Sequence, residues 1–189
     1  MPHRYTLALE PALADATFVG HVIIDATVNE AVEHIVLNAT ELTISEVKVA
    51  GETVAFELDE STERLIIKAS HAQGPTSVEI TFAGILNDKL HGWYRSTYVD
   101  SDGEQHVIAT SQMQATDCRR AFPCFDEPDF KAVFDVTLIV EPHLLAVSNG
   151  PEVDRVANDN GKVGVRFAET IPMSTYLVAF VVGPLEATE

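Results

Sequence analysis

His21-Val22-Ile23-Ile24-Asp25-Ala26-Thr27-Val28 decides the reading of the fold. Val22, Ile24, Ala26 and Val28 alternate with His21, Asp25 and Thr27, and a period of two is the signature of a strand that buries one face. Outward from this stretch the pattern recurs. Val78, Ile80 and Phe82 alternate with Glu79 and Thr81, and Phe134, Val136, Leu138 and Val140 alternate with Asp135, Thr137 and Glu141. Val163, Val165 and Phe167 follow at the same period. Shorter apolar and β-branched runs lie at Tyr5 to Leu9, His34 to Leu37, Leu42 to Val49, Thr53 to Leu58, Leu65 to Lys68 and Leu177 to Gly183, with turn clusters between them. Asn158-Asp159-Asn160-Gly161 reads as a hairpin turn, because Asn and Gly tolerate positive φ. No segment holds a long helical period. Short strands at this spacing predict an all-β fold, an antiparallel β-sandwich.

One segment breaks the order. From Thr110 to Phe130 the chain reads TSQMQATDCRRAFPCFDEPDF, with charges, prolines and aromatics at no strand period. It is expected to form one long irregular loop, with Thr116 or Asp117 capping a short helical turn through Ala121. Phe122, Pro123, Phe125 and Pro128 read as its rigid frame and Met113 as buried packing. Asp126 and Glu127 are expected to pair with Arg119, Arg120 or backbone amides. A chemically rich connection inside a regular sandwich marks function.

Composition narrows the chemistry. The 189 residues include 12 Lys and Arg against 29 Asp and Glu, a formal charge of −17, which repels phosphate backbones and anionic headgroups. Nucleic acid is therefore excluded as a partner. No apolar run reaches the roughly 18 residues that would read as a membrane span. The first residues, Met1-Pro2-His3-Arg4-Tyr5, lack the pattern of a signal peptide, and a cytoplasmic location is expected. With no export signal, Cys118 and Cys124 are expected to be reduced thiols. No linker composition divides the chain, so one continuous core is expected.

The chain holds no complete catalytic set. Its seven histidines are scattered singly, and no His-Glu-x-x-His occurs to hold a zinc ion. There is no Gly-x-Ser-x-Gly elbow and no phosphate-binding glycine loop. No metal is expected in this chain.

The run Gln112-Met113-Gln114-Ala115-Thr116-Asp117-Cys118-Arg119-Arg120-Ala121-Phe122-Pro123-Cys124-Phe125-Asp126-Glu127-Pro128 resembles the signature of the N-terminal domain of the aminopeptidase N family, the puromycin-sensitive type in particular. Gly92-Trp93-Tyr94-Arg95-Ser96, Val147-Ser148-Asn149-Gly150 and Met173-Ser174-Thr175-Tyr176-Leu177 fit the same domain in order. The resemblance implies that residues 1–185 form a single saddle-shaped β-sandwich domain that packs on a separate catalytic domain, with residues 186–189 the start of the linker to it. That catalytic domain would hold the zinc, and the parent protein would remove N-terminal residues from peptides. It also implies that Gln112 lies by the pocket for the first substrate side chain and that Gln114 helps to hold the substrate α-amine. Most members have glutamate at the second position, so Gln114 would accept hydrogen bonds from the ammonium without the assistance of a charge. This chain alone is then expected to be inactive, and to expose an apolar or aromatic patch beside the loop. The alternative is a binding or scaffold sandwich that keeps this domain without catalysis.

Overall fold

A computed structural model describes residues 1–187, so the last two residues of the expected linker, 188 and 189, lie outside the described part. Fifteen strands follow one another: β1 (Pro2–Ala12), β2 (Thr17–Val28), β3 (Ile35–Asn38), β4 (Leu42–Val49), β5 (Glu52–Thr53), β6 (Phe56–Asp59), β7 (Arg64–Ile67), β8 (Gly74–Ile85), β9 (Gly92–Val99), β10 (Gln105–Gln112), β11 (Val133–Val140), β12 (Leu145–Ser148), β13 (Glu152–Ala157), β14 (Val163–Phe167) and β15 (Phe180–Gly183). The only helical elements among the described residues are two single 3-10 turns, Cys118–Arg120 and Thr175–Leu177.

The strands form three sheets. The large sheet has the order β13-β14-β11-β1-β2-β8-β4-β5, the second β12-β15-β10-β9 and the third β3-β7-β6. Alternation explains how they pack. In β2 the side chains of Phe18, Val22, Ile24 and Ala26 are buried while Val19 and Asp25 are exposed, and β1 and β8 repeat the pattern on either side. The buried row meets Trp93, Ala109, Ala146, Phe180 and Val182 of the second sheet and Ile35, Leu37, Leu65 and Ile67 of the third in one continuous core. Burying one large apolar side chain contributes about 1.5–3 kcal/mol, so this shared core, rather than any single bond, holds the layers together. The arrangement is an all-β sandwich.

Three details differ from the pattern in the sequence. The β1–β11 pair is parallel, with Tyr5 opposite Phe134 and Leu9 opposite Leu138, whereas the other strand pairs are antiparallel. The run Thr53 to Leu58 is two strands, because the chain leaves the large sheet there. Val54 N–H still bonds Val47 on β4, and the carbonyl of Ala55 already accepts Lys68 N–H beside β7. The run Leu177 to Gly183 becomes a strand only from Phe180, after the second 3-10 turn. The predicted hairpin turn does join β13 to β14, with Gly161 at a φ of +85°.

Candidate functional site

Thr110, Ser111 and Gln112 are not loop. They complete β10, where Ser111 pairs with Trp93 and Gln112 with Gly92 on β9, and the Ser111 hydroxyl accepts Phe180 N–H at 2.9 Å. Irregular chain begins at Met113. Its side chain turns into the core and is 2% exposed, which leaves Gln112 and Gln114 on either side facing solvent. The Gln114–Ala115 peptide bond is cis. Among the described residues neither glutamine amide is part of the hydrogen-bond network that braces the segment. Both remain available to a ligand.

The chain then folds back on itself. Asp117 N–H bonds the Met113 carbonyl at 2.9 Å, and residues Cys118–Arg120 form a 3-10 turn with Asp117 at its N-cap position and Ala121 at its end. The predicted turn is present without a side-chain cap, because the Asp117 carboxylate instead accepts Arg120 Nε–H at 2.8 Å. Gly92 has a φ of +66° and lies under this turn. A Cβ there would stand 2.8 Å from Cβ of Arg120 and 3.3 Å from the Asp117 carbonyl oxygen, so only glycine allows β9 and the turn to approach this closely.

Two arginines fasten the turn to the third sheet. Arg119 donates to Asp126 at 2.9 Å and to Glu63 at 2.9 Å; Arg120 reaches Glu41 at 2.8 Å and Glu63 at 3.4 Å. Burial works against the Arg119 charge, but its hydrogen bonds and attraction to Asp126 and Glu63 outweigh that effect and raise its pKa. Asp126 is 4% exposed and accepts Arg119 on one oxygen and the Thr175 hydroxyl, at 2.7 Å, on the other. Buried charge is tolerable only when paired and hydrogen-bonded in this way. Glu127, its neighbour in sequence, is exposed.

Main-chain bonds complete the brace. Cys124 exchanges both its backbone bonds with Asn38, and Phe125 N–H donates to the Tyr5 hydroxyl at 3.1 Å. Phe122 is buried among Tyr5, Phe134 and Phe180, with ring centroids 6.1, 6.4 and 6.3 Å away, so one loop aromatic touches both the large and the second sheet. Pro123 is buried as expected of a frame residue. Phe125 is half-buried, while Pro128 is exposed and held instead through its carbonyl, which accepts the Ser174 hydroxyl at 2.6 Å. Glu41, Glu63, Asn38, Tyr5 and Thr175 all act on the site, yet they lie up to 120 residues from it in sequence and carry no local motif.

Cys118 and Cys124 are free and fully buried; burial pushes both thiols up, Cys118 well above its ordinary value. With Asp126 they form one of two groups of donors among the described residues close enough to hold an ion, the other being Asp100, Glu104 and His106. Neither offers the histidine pair and open position of a catalytic zinc centre.

Gln112 also belongs to a surface. In the second sheet Trp93, Ala109, Ala146, Phe180 and Val182 face the core, so the alternating residues Tyr94, Thr110, Val147 and Val181 face outward in the same layer as Gln112. Val147 is 43% exposed and Leu177, beside this sheet, 50%. An apolar and aromatic patch therefore adjoins the signature segment.

The family model described as the peptidase M1 N-terminal domain matches residues 1–177. The chain is 41% identical over 194 residues to puromycin-sensitive aminopeptidase of Caenorhabditis elegans, a match that covers 98% of this chain and 20% of that protein. It is 39% identical over 203 residues to aminopeptidase M1 of Arabidopsis thaliana, covering 100% and 22%. With endoplasmic reticulum aminopeptidase 1 of Homo sapiens the identity is 36% over 198 residues, covering 99% and 21%. The chain spans about a fifth of the length of these curated relatives.

Proposed function

The chain belongs to the peptidase M1 N-terminal domain family, and from that premise we propose that it is the substrate-amine side of a zinc-dependent aminopeptidase that removes N-terminal residues from peptides. The observation that supports this reading best is the contrast within the signature segment. Met113 is buried and residues 117–126 are fixed by ion pairs and main-chain bonds, while among the described residues the Gln112 and Gln114 amides face outward without such ties. A rigid frame that presents polar groups unpaired is the form of a binding site, since positioning is settled before the ligand arrives.

In this reading the Gln114 amide oxygen accepts a hydrogen bond from the substrate ammonium, and Gln112 borders the first side chain. The outward face of the second sheet, with Tyr94, Val147 and Val181, packs on the catalytic domain. Zinc is held by that domain in this reading, because this chain has no His-Glu-x-x-His and the two donor groups among the described residues do not suit a catalytic centre. When bound there, the metal supplies a polarised carbonyl and an activated water. This chain supplies orientation: it holds the peptide by its free amine, so that cleavage falls after the first residue. The negative charge of the chain favours approach of a cationic terminus. Residues 1–185 act as one domain and 186–189 begin the connection to the catalytic part. A cytoplasmic location belongs to the same proposal and is supported by the two free thiols. Among the described residues no helix is long and apolar enough to cross a membrane.

The test is to assay aminoacyl reporters with the isolated chain and with the full-length protein that contains it. Hydrolysis by the full-length protein alone, abolished by a chelator and restored by zinc, is the expected result. A full-length protein that binds peptides without cleaving them would favour the scaffold reading.

A further inference from the structure

We propose that Cys118, Cys124 and Asp126 form a buried site for a thiophilic divalent metal ion, which clamps the segment that presents Gln112 and Gln114. The two sulfurs and a carboxylate oxygen all lie within 4.8 Å of one another. Bonds of about 2.3 Å to sulfur and about 2.0–2.2 Å to oxygen place neighbouring donors of a tetrahedral ion roughly 3.5–3.8 Å apart, so a contraction of about 1 Å is enough. Both cysteines are 0% exposed and Asp126 is 4% exposed, which sets this group apart from acidic residues that meet by chance at a surface.

Each donor is held from outside the group. Cys118 opens the 3-10 turn, Cys124 has both backbone groups bonded to Asn38, and Asp126 is oriented by Arg119, Thr175 and a bond from its N–H to Asn38 Oδ1 at 3.2 Å. Each Asp126 oxygen accepts one hydrogen bond and keeps a second lone pair for a metal, the arrangement by which outer partners orient a ligating carboxylate. The Tyr5 hydroxyl holds the backbone between two of these donors, accepting Phe125 N–H at 3.1 Å. Charge also balances. A dication that replaces the two thiol protons leaves the total unchanged, with Arg119 still opposite Asp126, so binding adds no uncompensated charge to the core. An ion there would join the turn, the third sheet through Asn38, and the Thr175 turn. This site does not depend on the peptidase reading.

Cadmium titration of this chain under reducing conditions tests it. The expected result is one ion per chain with an ultraviolet cadmium–thiolate band, and loss of the band in both Cys118→Ala and Cys124→Ala. Binding should survive His106→Gln, which disables the other donor group. Zinc should raise the thermal midpoint of the unaltered chain and leave that of the cysteine variants where it was. Because the band in the unaltered chain reports thiolate ligation directly, the test holds even where a variant folds poorly. Absence of the band, or stoichiometric binding that persists in both cysteine variants, would overturn the proposal and leave the thiols as core packing.

Discussion

Arg119 Nε donates to Asp126 Oδ2 at 2.9 Å across a 3-10 turn and a proline bend, and this pair closes residues 119–126 of the signature segment into a ring that includes Cys124. Removing one partner of a buried pair leaves the other charge without compensation. Arg119→Ala is therefore expected to destabilise the chain by about 3 kcal/mol or more, read as a lower urea midpoint. Asp126→Asn, which keeps the shape and the Thr175 contact, should cost less. Equal midpoints for Arg119→Ala and the unaltered chain would show that the brace adds nothing to stability.

Gly92 makes a second, independent support. Alanine at a φ of +66° costs about 1 kcal/mol or more from backbone conformation alone, and its Cβ must also displace the turn at Asp117 and Arg120. Gly92→Ala should lower the stability of this chain by at least that amount. In the full-length protein it should also reduce kcat/KM, because the displaced turn is tied through Asp117 N–H to Met113, the neighbour of Gln114. A variant as stable and as active as the original would contradict the close packing of β9 on the turn.

Asp135 gives the chain an acid-sensitive arm. Burial alone would raise its pKa, but the hydrogen bonds and charges of Arg166 and Arg4 outweigh burial and hold it below its ordinary value. A carboxylate depressed in the folded state stabilises fully above its unfolded value of about 3.9, and that contribution is lost as the pH falls through the lower folded value. Asp135→Asn should accordingly be less stable than the unaltered chain at neutral pH, with the difference shrinking as the pH falls below about 4. A difference that stays constant down to the acid transition would exclude this linkage.

Much of the fold was legible in local alternation. Val22, Ile24 and Ala26, and again Phe134, Val136 and Leu138, face a core, and a buried face leaves a period of two in the sequence. Where no face is buried, no period appears. β13 reads Glu152-Val153-Asp154-Arg155-Val156-Ala157, is exposed throughout and pairs only with β14, so it left no signal. The parallel match of Tyr5 with Phe134 joins strands more than a hundred residues apart, and nothing local encodes it. At the site, the segment stood out by its composition, and Thr116-Asp117 marked where its turn begins, although neither side chain caps it. The partners of its arginines, Glu41 and Glu63, were not readable, because they sit in separate turns that the third sheet brings together. That Ser111 and Gln112 belong to β10 was masked by their polarity; Trp93 and Gly92 opposite them supply the pairing.

Gln114→Glu offers a gain rather than a loss. A carboxylate strengthens a hydrogen bond to an ammonium about twofold over a neutral amide, so the full-length variant should show a lower KM for substrates with a free amine. N-acetylated substrates, which lack the ammonium, should gain nothing. An equal change for both substrate types would place Gln114 away from the amine.

The most direct measurement is kcat/KM of full-length Gln114→Ala on peptides with a free N-terminus. Loss of a hydrogen bond to a charged group, about 1.5–3 kcal/mol, predicts a fall of roughly ten- to a hundredfold, with the stability of the protein unchanged because this amide is exposed and braces none of the described residues. Unaltered kcat/KM in a folded, active enzyme would contradict the assignment of this segment as the amine side of the site.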